Sequence, residues 1–196
     1  MFEASEIDLM TGRTVDLSEY TPRGSARNNE YITNQMTFIG YNTANPLLSG
    51  VETRQGLSNI VDKDSIVNST IYSRGKASNI PINPSSIFYY DTSTKFKPDE
   101  ILTTQHLGND KWGLDNDGKY VRHVGAQKQV LQFEILTNSD SAEKVNIANE
   151  VADSYTRFGI PTTVTALPYD EYIARINAKN YDIMIGCLLY TSPSPR

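Results

Sequence analysis

Asp115-Asn116-Asp117-Gly118 groups three oxygen-bearing side chains before a glycine, the grouping a calcium loop uses. Laying Gly118 on that loop's turn glycine puts the first ligand position on Gly113 and the last on Val124, and neither offers a side-chain oxygen. The run therefore reads as a polar turn in which Asp-Gly tolerates positive φ. His106 and His123 have no partner at HxxxH or HxH spacing, so neither reads as a metal ligand. Phosphate chemistry would need a Gly-rich loop, and neither a dinucleotide fingerprint nor a P-loop occurs. No GxSxG elbow presents a nucleophile, and the single thiol, Cys187, opens an unusual tail. Asn68-Ser69-Thr70 fits the glycosylation sequon but reads as a chance triplet. Tyrosine is abundant, 12 against six Phe and one Trp. Its flat apolar body and hydroxyl suit the gripping of peptides or sugars, although Tyr31, Tyr72 and Tyr155 read first as packing or surface residues. No catalytic residue, metal or cofactor is expected.

The bulk numbers exclude other classes. A net charge of -5 over 196 residues weighs against a nucleic-acid groove or an anionic membrane patch. No apolar run is long enough to span a bilayer, and no export segment is visible near Met1. The tail Cys187-Leu188-Leu189-Tyr190-Thr191-Ser192-Pro193-Ser194-Pro195-Arg196 resembles the translation of a sequencing adapter, so residues 187–196 are expected to be non-native.

The elements that would position a site are clearest from Val130 to Gly186. Val130 to Leu136 alternates as an extended segment. The polar cluster Thr137-Asn138-Ser139-Asp140-Ser141 offers helix caps, and from Ala142 the residues Val145, Ala148, Val151, Ala152, Tyr155 and Phe158 recur on one helical face. Gly159 and Pro161 end that helix. Thr162 to Leu167 is a β-branched strand, Pro168 to Ala178 a second amphipathic helix, and Tyr181 to Gly186 a third strand. Such alternation predicts parallel strands in an α/β layer, with ligand chemistry at their carboxyl ends. Upstream, an extended stretch from Tyr31 to Asn42 precedes helices over Val51–Val61, Lys63–Ile71 (capped by Asp62) and Pro98–Leu107, with a Pro/Ser/Tyr-rich loop from Gly75 to Lys97. Phe2 to Gly12 weakly repeats Ile176 to Gly186, matching at the Ala, Asp, Met and Gly positions, as two similar lobes would. A helix whose body precedes Met1 is expected.

In order and spacing these pieces resemble the family 5 extracellular solute-binding proteins, the oligopeptide/dipeptide/nickel-type receptors of ABC importers. The resemblance rests on Ser5-Glu6-Ile7-Asp8, on Thr37 to Asn42 followed by Asn45-Pro46, on Val51 to Val67 around Arg54, and on Trp112-Gly113. It continues through Ala148, Gly159, Ile160, Tyr172, Tyr181 and Asp182. Gly56 stands where the family writes Ala. The resemblance implies an α/β, periplasmic-binding-protein-like fold of the class II, cluster C type, in a partial chain covering mostly the second lobe. Residues 1–30 would end a lobe I segment, 31–42 would be a hinge crossing, and 43–186 an incomplete lobe II. It implies no enzyme but a receptor that captures an oligopeptide or similar small solute between lobes. That receptor would deliver to an ABC permease, act as a monomer without nucleic acid, and lie in the periplasm or on the cell surface as a lipoprotein. A sensor reusing the same module is the alternative. By the same resemblance Thr11, Gly12 and Arg13 would face the cleft from one side, and Asn138, Tyr169, Ile185 and Gly186 from the other. Arg13 would meet a ligand carboxylate. For each position a cap, packing residue or turn glycine is the competing reading.

Overall fold

The computed structural model describes residues 29, 33, 35–71, 75–82, 86–90 and 97–189. Seven strands and five helices follow along them: β1 Gln35–Tyr41, α1 Val51–Ile60, α2 Lys63–Ile71, α3 Glu100–Asn109, β2 Gly113–Leu114, β3 Tyr120–Val124, β4 Gln127–Val130, β5 Phe133–Asn138, α4 Ala142–Arg157, β6 Thr162–Leu167, α5 Tyr169–Asn177 and β7 Ile183–Leu189. One sheet runs β1-β7-β5-β6. Its last three strands are parallel, as the strand–helix alternation predicts, and β1 lies antiparallel on β7 with Phe38 opposite Gly186 and Ile39 opposite Ile185. A small antiparallel sheet, β2-β3-β4, sits apart from it.

Side chains alternate across the large sheet. One face carries Phe133, Ile135, Ile183 and Ile185 against Ala148, Val151, Ala152 and Tyr155 of α4, in a core shared with Leu48, Leu57, Val61 and Ile66. There the Tyr41 and Tyr155 hydroxyls pair at 2.9 Å, and burial pushes both phenols up. On the other face Arg175 of α5 grips Glu134 with two bonds, at 2.6 and 3.1 Å.

Local chemistry sets the element ends. Ser141 caps α4, its hydroxyl accepting from the Lys144 N–H, and Asp62 Oδ1 accepts from the Ser65 N–H at the start of α2. Gly159 adopts φ 91 after α4, and a Cβ there would stand 2.5 Å from the Gly118 carbonyl oxygen. The Asp115–Gly118 run is a turn: Asp115 Oδ1 accepts from the Asp117 and Lys119 N–H groups, and Gly118 has φ 72.

The bounds of several elements differ from expectation, those of α3, β5 and β7 most. α3 begins at Glu100 because Asp99, not a residue before Pro98, caps it through the Leu102 N–H, and the helix runs to Asn109 past Gly108. β5 begins at Phe133 because Leu131 still bonds Tyr120 in the small sheet, whereas the Phe133 N–H turns to Pro161. β7 does not stop at Gly186: Cys187, Leu188 and Leu189 continue it, opposite Thr37, Met36 and Gln35. The remaining tail, 190–196, lies outside the described residues.

Candidate functional site

The carboxyl ends of β5 and β6 meet at one corner. Asn138 closes β5, is 7 % exposed, and accepts the Asp140 N–H on Oδ1 at 2.9 Å. The Ser139 N–H donates to Leu167 O at 2.8 Å, so the end of β5 is tied to the end of β6. Pro168 follows β6 and opens α5 without a capping side chain. Asp140 supplies the acceptor instead, its Oδ2 taking the Tyr169 N–H at 3.1 Å. The Tyr169 ring stands 55 % exposed on this rim. Asn138 and Tyr169, two residues singled out from the sequence, are thus brought together through Asp140, which sequence reasoning did not select.

Ile185 and Gly186 stand at a different point of their strand than expected. Both sit in the middle of β7 rather than at its end, because the strand runs on to Leu189. The Ile185 side chain is fully buried in the α4 face of the core. Its carbonyl accepts the hydroxyl of Tyr172 from α5 at 3.0 Å, and burial raises the Tyr172 phenol. Gly186 is buried beneath the Phe38 ring. Thr11, Gly12 and Arg13 lie outside the described residues.

The opposite, amino ends of the strands frame an open depression of about 460 Å³, bordered by Asn45, Phe133, Glu134, Thr163 and Asp182. Its carboxylates are already engaged. Asp182 takes Asn45 Nδ2 at 2.7 Å on one oxygen and the Glu134 N–H at 2.9 Å on the other. Glu134 is held by Arg175 and by the Thr165 hydroxyl, and chiefly the Arg175 guanidinium lowers its carboxyl below the usual range. Paired groups of this kind fasten the sheet and leave its carboxylates already engaged, so the depression is a weaker candidate than the carboxyl-end corner.

The motif residues share this fastening role. Asn42 Nδ2 donates to the carbonyls of Lys179 and Tyr181, and Arg54 Nη1 to those of Leu48 and Ser49. Asp110 Oδ2 accepts from the Thr53 N–H and hydroxyl, Trp112 Nε1 donates to the same hydroxyl, and the Arg122 guanidinium stacks 4.2 Å from the Trp112 ring. Among the described residues no group of three or more His, Cys, Asp or Glu is placed to hold a metal ion.

Comparison with known proteins places this geometry. Residues 1–196 match the bacterial extracellular solute-binding proteins, family 5, middle region. The chain is 27 % identical over 161 residues to the oligopeptide-binding protein AppA of Bacillus subtilis, covering 80 % of the chain and 29 % of that protein. AppA from Bacillus subtilis, solved in complex with a nonapeptide, superposes with a TM-score of 0.73 at 23 % identity, over 82 % of this chain and 32 % of that one. NikA from Brucella suis, in complex with Fe(III)-EDTA, gives a TM-score of 0.73 at 18 % identity, over 98 % and 39 %. The chain thus spans less than a third of the length of the curated relative it matches. With the match running its full length, the chain belongs to the family 5 bacterial extracellular solute-binding proteins.

Proposed function

We propose that this chain forms one wall of the solute cleft of a non-enzymatic receptor that captures a peptide-like solute and hands it to an ABC permease outside the cytoplasm. The family match along residues 1–196 carries the reading. The choice of a peptide follows the relative named for oligopeptide binding and the neighbour solved with a nonapeptide. Residues 43–186 would belong to lobe II, with β1 as a hinge crossing beside β7, and the receptor would act as a monomer without nucleic acid.

In this reading the rim built by Asn138, Asp140 and Tyr169 meets the solute as the lobes close. Exposed main-chain groups at the strand ends would pair with an extended peptide, and the Tyr169 ring would cover one of its side chains. Thr11, Gly12 and Arg13 would contribute from the other side, Arg13 through its planar fork to a ligand carboxylate. Ile185 and Gly186 would act from beneath, by fixing β7, rather than by touch.

Titration calorimetry of the protein that carries this chain, against alanine peptides from tri-alanine to nona-alanine, tests the proposal. Saturable one-to-one binding of at least one length is expected. A folded protein giving no heat with any of them would overturn the peptide reading.

A further inference from the structure

Two helices begin without a capping side chain of their own, and both borrow a carboxylate. α1 follows Gly50 and takes Asp110; α5 follows Pro168 and takes Asp140. Proline suits the start of α5 because its fixed φ, here −52, leads into the helix, but it brings no acceptor for the free N–H groups of the first turn. Asp140 makes up that lack from 29 residues away.

The position of the second borrowed cap matters more than its energy. Asp140 is held from behind by Asn138 Oδ1, and the turn around it is held by the Ser139 N–H on Leu167 O. The three bonds link the turn after β5 to the turn after β6, and their last member is the backbone of Tyr169. The Tyr169 side chain stays largely in solvent while its backbone is fixed, so the point and direction from which the ring projects depend on where Asp140 stands.

We propose that Asp140 is a positioning residue for ligand capture: it sets the first turn of α5 and thereby the angle at which Tyr169 meets the solute. The inference rests on the reading that the carboxyl ends of β5 and β6 face the cleft. It also gives this corner a charge preference. The Asp140 carboxylate occupies an amide that a ligand carboxylate would otherwise take at a helix start, and Asp170 and Glu171 add negative charge in the same turn. The corner therefore receives an uncharged or cationic part of the peptide.

A double-mutant cycle in the protein that carries this chain tests the role, read as the dissociation constant of the alanine peptide that binds it most tightly. Tyr169→Ala is expected to weaken binding roughly fivefold or more. Asp140→Ser, which withdraws the carboxylate from the Tyr169 N–H, is expected to weaken it measurably in the unmodified background and not at all in the Tyr169→Ala background. Asp140→Asn keeps an acceptor oxygen and is expected to stay near the unmodified affinity. Equal losses in both backgrounds would mean that Asp140 acts only on general stability, and would overturn the proposal. A Tyr169→Ala loss with no Asp140→Ser loss would overturn the positioning role alone. A neutral Tyr169→Ala would sink the placement of the wall, and the proposal with it, as would failure of every alanine peptide to bind. If Asp140→Ser does not fold, Asp140→Glu carries the same cycle, because it keeps the charge and shifts the carboxylate by one methylene.

Discussion

The Phe38 ring lies directly over Gly186, so close that a Cβ on the glycine would stand 2.5 Å from Phe38 Cζ and 2.8 Å from Cε1. The two residues face each other across the β1–β7 pair. A side chain at 186 would therefore require the Phe38 ring to move, and glycine lets the ring lie flat across the β1–β7 pair.

Gly186→Ala is expected to destabilise the protein by about 1 to 3 kcal/mol, the usual cost of forcing a methyl group into a filled site. Denaturant unfolding measures it. Phe38→Val in the same molecule should recover part of the Gly186→Ala loss by clearing the contact. A freely tolerated Gly186→Ala in the Phe38 background would contradict the packing.

Asp110 stabilises α1 from the end of α3, with bonds of 2.8 Å to the Thr53 N–H and 2.6 Å to its hydroxyl. Asp110→Ala leaves the first turn of α1 uncapped and should cost about 1 to 2 kcal/mol by chemical denaturation. Asp110→Asn, which retains an acceptor oxygen, should cost less. Equal losses for the two would show that the bond to the Thr53 N–H is unimportant.

Thr137 is fully buried near the end of β5, and its hydroxyl has no hydrogen-bond partner among the described residues. Desolvating such a group without compensation is unfavourable, so the near-isosteric Thr137→Val should raise stability, by about 1 kcal/mol. A loss of stability in urea unfolding would reveal a partner for the hydroxyl.

Acid should weaken the fold through Asp115. The Lys128 ammonium at 2.8 Å, followed by the Lys119 N–H, lowers its carboxyl from 3.8 to about 2. A group depressed in the folded state contributes stability that is complete above its unfolded value and is lost as pH falls through the folded value. The Asp115 contribution should therefore disappear between about pH 4 and pH 2. Asp115→Asn should flatten that part of the stability–pH curve, and Lys128→Ala should raise the Asp115 midpoint in an NMR titration. A midpoint unmoved by Lys128→Ala would show that the ion pair is not formed in solution.

Much of the parallel layer was legible because each element announces itself locally. Ser141, Gly159 and Pro161 punctuate α4, and Thr162 to Leu167 is β-branched enough to read as β6 with its observed bounds. The small sheet escaped notice for the opposite reason. β3 and β4 are short and carry Arg122, His123, Gln127, Lys128 and Gln129, so no apolar alternation marks those strands, and Tyr120 alone is buried in β3. The antiparallel placement of β1 depends on a partner more than a hundred residues away and has no local signal. The borrowed caps follow the same logic: Gly50 and Pro168 show where a cap is missing, but only the fold brings Asp110 and Asp140 to them. Asn138 at the end of β5 and Tyr169 at the start of α5 are where local sequence signals put them. Ile185 and Gly186 were placed one strand-half too late, because the continuation of β7 through Leu189 carried them into the middle of the sheet.

Solute is expected to meet the carboxyl ends of β5 and β6 and not the depression at the amino ends. Amide hydrogen–deuterium exchange of the protein that carries this chain, with and without a saturating alanine peptide, decides it most directly. Slowed exchange is expected over residues 138–144 and 167–172, with exchange at 45–48 and 161–163 unchanged. Protection confined to the amino-end residues, or unaltered exchange at 138–144 and 167–172 while peptide is bound, would contradict it.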